Sequence, residues 1–187
     1  PFLLPLRPGV ASDPKRTFDG LFGVFNDSLP DGWGLLLLDR LLRRSGLPLE
    51  RITPLSRLSL VGSGGMGALE YEPVTPDPDP LPERIDLDGV AEEAWRTLNE
   101  DPLPVETLRT LMALNGSSCG ARPKIMVRVS GDRRLIVPDA VAEPGCDPWL
   151  IKFPARHDDP AIGRMEYACS LAAKRAGIEM PETALFP

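Results

Sequence analysis

Residues 115–137 read NGSSCGARPKIMVRVSGDRRLIV, and the hydrophobic pattern of the chain changes within them. Upstream, apolar residues recur at helical spacing and predict a helix over 105–114. Downstream, the apolar runs 125–129 and 134–137 flank Ser130-Gly131-Asp132, which predicts a β-hairpin. Because one chain carries both patterns, we predict an α+β fold.

The pattern beyond the hairpin predicts one more strand and one more helix. Residues 149–153, WLIKF, are typical of a strand ended by Pro154. Residues 161–176 then predict a helix that Gly177 closes. The order is therefore loop, two strands, a third strand and a helix.

The upstream segment is rich in leucine and predicts mainly helices. Asp31, or the turn around it, is interpreted as the cap of a helix, with Trp33 packing beside it, and the leucine stripe at 35–42 is predicted to be core. Other predicted elements are a short helix in 54–60, a short strand in 68–71 and a helix over 89–98. Residues 73–84 contain five prolines and predict an extended linker.

Composition excludes several classes of function. The 187 residues carry 27 acidic and 21 basic side chains, and the net charge of −6 disfavours a nucleic-acid surface. Cys119, Cys146 and Cys169 fit neither a disulfide framework nor a zinc site, which favours a reducing cytoplasm. One histidine, His157, disfavours histidine-based metal sites and catalytic triads. No apolar run is long enough for a membrane span.

The loop at 115–124 is the first candidate for chemistry. Its small residues would let backbone N–H groups approach a phosphate, and Lys124 adds a positive charge. It is not a Walker A loop, because no Gly-Lys-Ser/Thr opens a helix. The same composition is also typical of a flexible connection before a hairpin.

Lys152 and Glu166 form the second candidate. A lysine on an edge strand commonly prevents aggregation, and a glutamate early in a helix is ordinarily solvated. Protein kinases, however, pair a strand lysine with a helix glutamate to hold the ammonium against ATP phosphates. The order of loop, hairpin, strand lysine and helix glutamate found here is the order in a kinase N-lobe.

A series of short motifs is distributed along most of the chain, from about Phe18 to Leu185. They are FDGL at 18–21, DSLPDGWG at 27–34, VG at 61–62, GALEY at 67–71, SSCGARPK at 117–124, WLIKF at 149–153, EY at 166–167, Ala172, AGI at 176–178 and Pro181. Taken together, these motifs resemble those of the HipA family of bacterial serine/threonine kinase toxins.

The resemblance implies an ATP site that also uses Mg²⁺. Lys152 would contact the phosphates, Glu166 would orient Lys152, and the backbone over 118–122 would cradle the phosphates. Ser117 corresponds to the serine that many members autophosphorylate, with Ser118 as the alternative. The ATP-binding residues so implied are Ser118, Cys119, Gly120, Ala121, Arg122, Lys124, Lys152 and Glu166.

The resemblance also implies a division of the chain. Residues 1–84 would be a HipA-type N-terminal subdomain with its proline-rich linker, and 85–187 a partial kinase-like ATP-binding lobe. In this family the catalytic base and Mg²⁺ ligands follow the helix that ends here at Gly177, and only 178–187 follow it. We therefore expect no catalytic residue and no metal ligand within the chain, and an inactive isolated fragment.

For the parent protein, the resemblance implies a toxin of a toxin–antitoxin module. Its expected partners are a HipB-like DNA-binding antitoxin and a protein substrate such as an aminoacyl-tRNA synthetase, without direct nucleic-acid or membrane contact. The alternatives are a non-catalytic HipA-like binding or antitoxin-type module and a nucleotide-binding scaffold. An antitoxin-type module would end near the linker at 73–84, so Lys152 and Glu166 favour the kinase.

Overall fold

The structure is a computed structural model that describes residues 8–9, 15–46, 48–62, 65, 68–72, 81–116 and 119–186. Within these residues it is an α+β fold, which confirms the predicted class. The helices are α1 (Gly23–Asn26), α2 (Gly32–Arg44), α3 (Pro54–Val61), α4 (Leu87–Leu98), α5 (Val105–Asn115) and α6 (Ile162–Arg175), with a 3₁₀ turn at Leu49–Arg51; the strands are β1 (Lys124–Ser130), β2 (Ile136–Pro138) and β3 (Cys146–Lys152).

Local signals explain where several helices begin. Thr53 and Ser56 form a reciprocal capping box at the start of α3. The side chain of Asp86 accepts the N–H of Asp88 at the start of α4. Asp31 is the N-cap residue of α2, as predicted, although its side chain makes no hydrogen bond to that helix.

The three strands form one antiparallel sheet in the order β2-β1-β3. β1 pairs with β3 over seven residues, from Lys124 opposite Lys152 to Ser130 opposite Cys146. β3 therefore begins three residues earlier than the strand predicted at 149–153, and it ends at Lys152, one residue before Phe153. The strand predicted at 68–71 is wrong: among the described residues, this segment forms no ladder with a neighbouring strand, although the Tyr71 N–H donates to the Gly62 carbonyl.

The core lies between the helices and one face of the sheet. Ile125, Val127 and Val129 alternate along β1 and are almost completely buried. Helix α5 packs on β1, and α2 packs on α5. The leucine stripe of α2 is core, as predicted, with Leu37 and Leu38 fully buried.

This core includes residues on both sides of the division predicted at residue 84, because Trp33 and Leu37 share one hydrophobic cluster with residues of α5 and β1. The division itself stays a prediction. Of the predicted linker, residues 73–80 lie outside the described residues.

Helix α6 is less buried than the other long helices: Ser170 is its one buried residue, whereas α2, α4 and α5 each bury several. The segment after it returns along the helix and bonds to it, with Thr183 Oγ1 lying 2.8 Å from Ser170 Oγ. Phe186 then meets Trp149 of β3 edge to face at 5.9 Å. These contacts fix α6 beside the end of β3.

None of the helices that the structure describes is both long and apolar enough to cross a bilayer.

Candidate functional site

The loop before β1 is held by the first turn of α2. The Gly120 N–H donates to Asp31 Oδ1 at 2.6 Å, and the Trp33 N–H donates to the Gly120 carbonyl oxygen at 3.1 Å. Gly32 allows this approach, because a Cβ there would lie 2.6 Å from the Gly120 oxygen, and its φ of +44° favours glycine. The Asp31 side chain thus binds the loop across the fold, while its backbone carbonyl accepts the Leu35 N–H of its own helix.

Lys124 supports the same loop from inside. Its side chain is almost inaccessible, with 4% of the residue exposed, and its ammonium donates to the Cys119 carbonyl at 2.5 Å. Gly120 leaves room for this group, since a Cβ there would lie 2.6 Å from Lys124 Nζ. Burial lowers the pKa of Lys124, the charge of Asp31 opposes this shift, and the charge of Lys152 adds to it.

Lys152 and Glu166 lie in contact on the surface. Lys152 is the last residue of β3, Glu166 lies in the second turn of α6, and Lys152 Nζ is 3.1 Å from Glu166 Oε2. Half of the Lys152 side chain is exposed. The structure therefore brings together the strand lysine and helix glutamate that the sequence singled out, and leaves the ammonium accessible to a ligand.

Arg122 extends this pair into a chain of four alternating charges. It donates to Glu166 Oε1 through Nη1 and to Asp158 Oδ1 through Nη2 at 3.1 Å, and its Nε lies 2.9 Å from Asp158 Oδ2 in an ion pair. The hydrogen bond to Asp158 raises the pKa of Arg122. The Ala155 N–H and then Arg122 lower the pKa of Asp158. We call Lys152, Glu166, Arg122 and Asp158 the charge cluster.

Sequence reasoning did not find Asp158. From the sequence alone, the pair Asp158 and Asp159 is most simply a solvated surface without a convergent partner, and for Asp158 the structure shows that this interpretation is wrong. Arg122 lies 36 residues away in the chain, so no local spacing could have revealed the contact. A strongly polar turn before a helix was the one available signal, and it is common to many loops.

The remaining predicted site residues are placed as follows. Ser117 and Ser118 lie outside the described residues. Cys119 is an exposed free cysteine whose carbonyl accepts the Lys124 ammonium, and Ala121 is exposed in the same loop. Among the described residues, no group of three or more His, Cys, Asp or Glu side chains could hold a metal ion.

A separate cleft of about 390 Å³ lies between the end of α2 and the segment before α5. It contains none of the predicted ATP-binding residues, and it carries charges of both signs. Its lining residues are Leu36, Arg40, Arg43, Arg44, Glu100, Asp101, Pro102, Leu103 and Leu108.

Two family models match the chain. The HipA N-terminal domain matches residues 2–72, and the HipA-like C-terminal domain matches residues 116–187. The chain belongs to the HipA family. No curated protein and no solved structure matches it. Every member of the charge cluster lies in the HipA C-terminal match, whereas Asp31 lies in the HipA N-terminal match. The bond between Asp31 and Gly120 therefore joins the two HipA regions.

Proposed function

We propose that this chain binds Mg-ATP through the loop at 118–124 and the Lys152–Glu166 pair, as the ATP-binding part of a HipA-type serine/threonine protein kinase. The observation that carries the proposal is the 3.1 Å contact between Lys152 Nζ and Glu166 Oε2 beside that loop. Protein kinases hold their phosphate-binding lysine with a helix glutamate in the same way. The sheet, with the loop before β1 and α6 after β3, supports the interpretation as a kinase-like N-lobe.

The charged groups fit a triphosphate. The exposed Lys152 ammonium would contact phosphate oxygens while Glu166 fixes its direction. Arg122 offers a planar guanidinium, which matches phosphate geometry. The buried Lys124 would act through the loop, by holding its Cys119 carbonyl. The Gly120 N–H bonds to Asp31 in this structure, so it would have to leave that carboxylate before donating to a phosphate.

Mg²⁺ would reduce the phosphate charge, and we assign no side chain of this chain as its ligand. The rest of the proposal concerns the whole protein: phosphoryl transfer to a protein serine or threonine, and a toxin role with a HipB-like antitoxin as partner. An aminoacyl-tRNA synthetase is the class of substrate proposed from the resemblance. Phosphorylation at Ser117, or alternatively Ser118, would add negative charge to the loop and oppose ATP binding.

Calorimetric titration of the chain with Mg-ATP tests the proposal. Lys152→Ala should weaken binding about tenfold or more, because it removes a charge-assisted contact worth roughly 1.5–3 kcal/mol. Lys174→Ala is the matched control, since it removes the same charge from the last turn of α6. Equal affinities of wild type and Lys152→Ala would remove Lys152 from the site, and no binding by wild type would refute the proposal.

A further inference from the structure

We infer that Asp158 is a positioning residue of this site, which acts through Arg122. By holding the guanidinium, it fixes the loop at 119–123 beside α6 and leaves one oxygen of Glu166 for Lys152. The consequence for nucleotide binding rests on the proposed function, whereas the consequence for the loop does not.

The geometry identifies Asp158 as the better-fixed partner of Arg122. The Asp158 side chain is 15% exposed, against 38% for Glu166. Its Oδ2 also accepts the Ala155 N–H at 2.8 Å, so the backbone anchors the carboxylate. Its Oδ1 accepts from Arg122 Nη2 at 3.1 Å and its Oδ2 lies 2.9 Å from Arg122 Nε, so both oxygens of the carboxylate face the guanidinium and restrict its orientation.

Glu166, in contrast, divides its two oxygens between two cations. Oε1 accepts from Arg122, and Oε2 accepts from Lys152. Without Asp158, Arg122 would keep Glu166 as its one carboxylate partner in the cluster. A guanidinium binds a carboxylate best through both oxygens, so it would compete with Lys152 for Oε2. The Lys152 ammonium would then lose the group that orients it.

Electrostatics alone predicts the opposite effect of removing Asp158. The charge cluster holds two positive and two negative side chains, so Asp158→Asn leaves it with one net positive charge. A more positive site attracts phosphates more strongly. If Asp158 acted only as a nearby negative charge, its loss would tighten nucleotide binding. If it positions Arg122, its loss weakens binding despite the added positive charge.

The test compares Asp158→Asn with Asp159→Asn in the full chain. Asp159 provides a matched control, because its carboxylate accepts the Ala161 N–H and the substitution removes the same charge one residue away. Amide hydrogen exchange is measured without nucleotide at 119–122 and along β1, and Mg-ATP is then titrated by calorimetry. The loop readout does not depend on any ligand.

We expect Asp158→Asn to speed exchange at 119–122 at least about threefold while β1 is unchanged, since local opening needs only the loop contacts to break. Mg-ATP affinity should fall about fivefold. Asp159→Asn should change neither. Unchanged loop exchange, or tighter Mg-ATP binding by Asp158→Asn, would overturn the inference.

The outcomes separate the two proposals. Faster loop exchange in Asp158→Asn, together with no Mg-ATP binding by wild type, would refute the proposed function and keep the positioning role.

If Asp158→Asn also speeds exchange in β1, the substitution has loosened more than the loop, and Arg122→Lys is then the variant that tests the positioning role. This variant keeps the charge but cannot span Asp158 and Glu166 as the guanidinium does. It should loosen the loop alone, and an unchanged loop would overturn the inference.

Discussion

Lys124 shows how a single buried charge supports the loop. The resemblance to the HipA family implied that Lys124 lies beside the ATP phosphates. In the structure its ammonium is covered by Gly120 and bonded to the Cys119 carbonyl. The nearby charge of Asp31 compensates part of the cost of burial, and Lys152 adds to that cost. The residue therefore supports the shape of the loop and is no exposed anion receptor.

The lowered pKa of Lys124 makes stability depend on pH. Between that lowered pKa and the ordinary value of 10.5, the unfolded chain binds the proton and the folded chain does not. The free energy of unfolding therefore gains a contribution that rises with pH in this window. Lys124→Met removes it, so the stability of wild type relative to Lys124→Met should increase from pH 7.5 to pH 10.

Urea unfolding at several pH values measures this difference. Lys174→Met is the control, because it removes a lysine from the last turn of α6 and leaves the buried Lys124 in place. A constant stability difference between wild type and Lys124→Met across the range would contradict the prediction.

At the scale of elements, the α2–α5 pair connects the leucine-rich segment to the sheet. α2 packs on α5, and α5 packs on β1, so the first turn of α2 reaches the loop that leaves α5. Helical spacing was enough to predict both helices. Their pairing depends on which faces of the helices are apolar. It also depends on Gly34 of α2, which lets α2 approach Asn115 of α5 closely, because a Cβ at Gly34 would lie 2.7 Å from Asn115 Nδ2.

Leu111→Ala tests this packing. Leu111 lies in α5 and is 1% exposed, so its truncation should leave a cavity and lower the free energy of unfolding by about 2–5 kcal/mol. Leu55→Ala, in α3, is the matched control, because Leu55 is mostly exposed and should cost less than about 1 kcal/mol. Equal costs in urea unfolding would show that α5 does not form the core.

For the whole molecule, the contact between Asp31 and Gly120 connects two regions that match separate HipA domains. The two residues are 89 positions apart in the chain. The shared core of Trp33 and Leu37 with α5 and β1 holds the same regions together. The loop of the proposed ATP site is therefore shaped by both HipA regions.

Asp31→Asn tests that connection. It weakens the acceptor of the Gly120 N–H and removes a charge that stabilises the Lys124 ammonium, so stability should fall by about 1 kcal/mol. Exchange of the Gly120 amide should also become faster. Asp27→Asn removes the same charge from an exposed residue four positions earlier in the chain and should change neither. Protection of the Gly120 amide equal to wild type would show that Asp31 does not hold the loop.

Local sequence patterns were enough to predict α2, α3, α4, α5, α6 and the central strand, because helical spacing, strand alternation, caps and glycine stops act within a few residues. They also indicated Lys152 and Glu166, whose order in the chain is itself a motif. Only the tertiary structure showed that Asp158 binds Arg122 and that the Asp31 side chain binds the loop. Both contacts join residues far apart in the chain, and they exist because packing of α2, α5 and the sheet brings their backbones together.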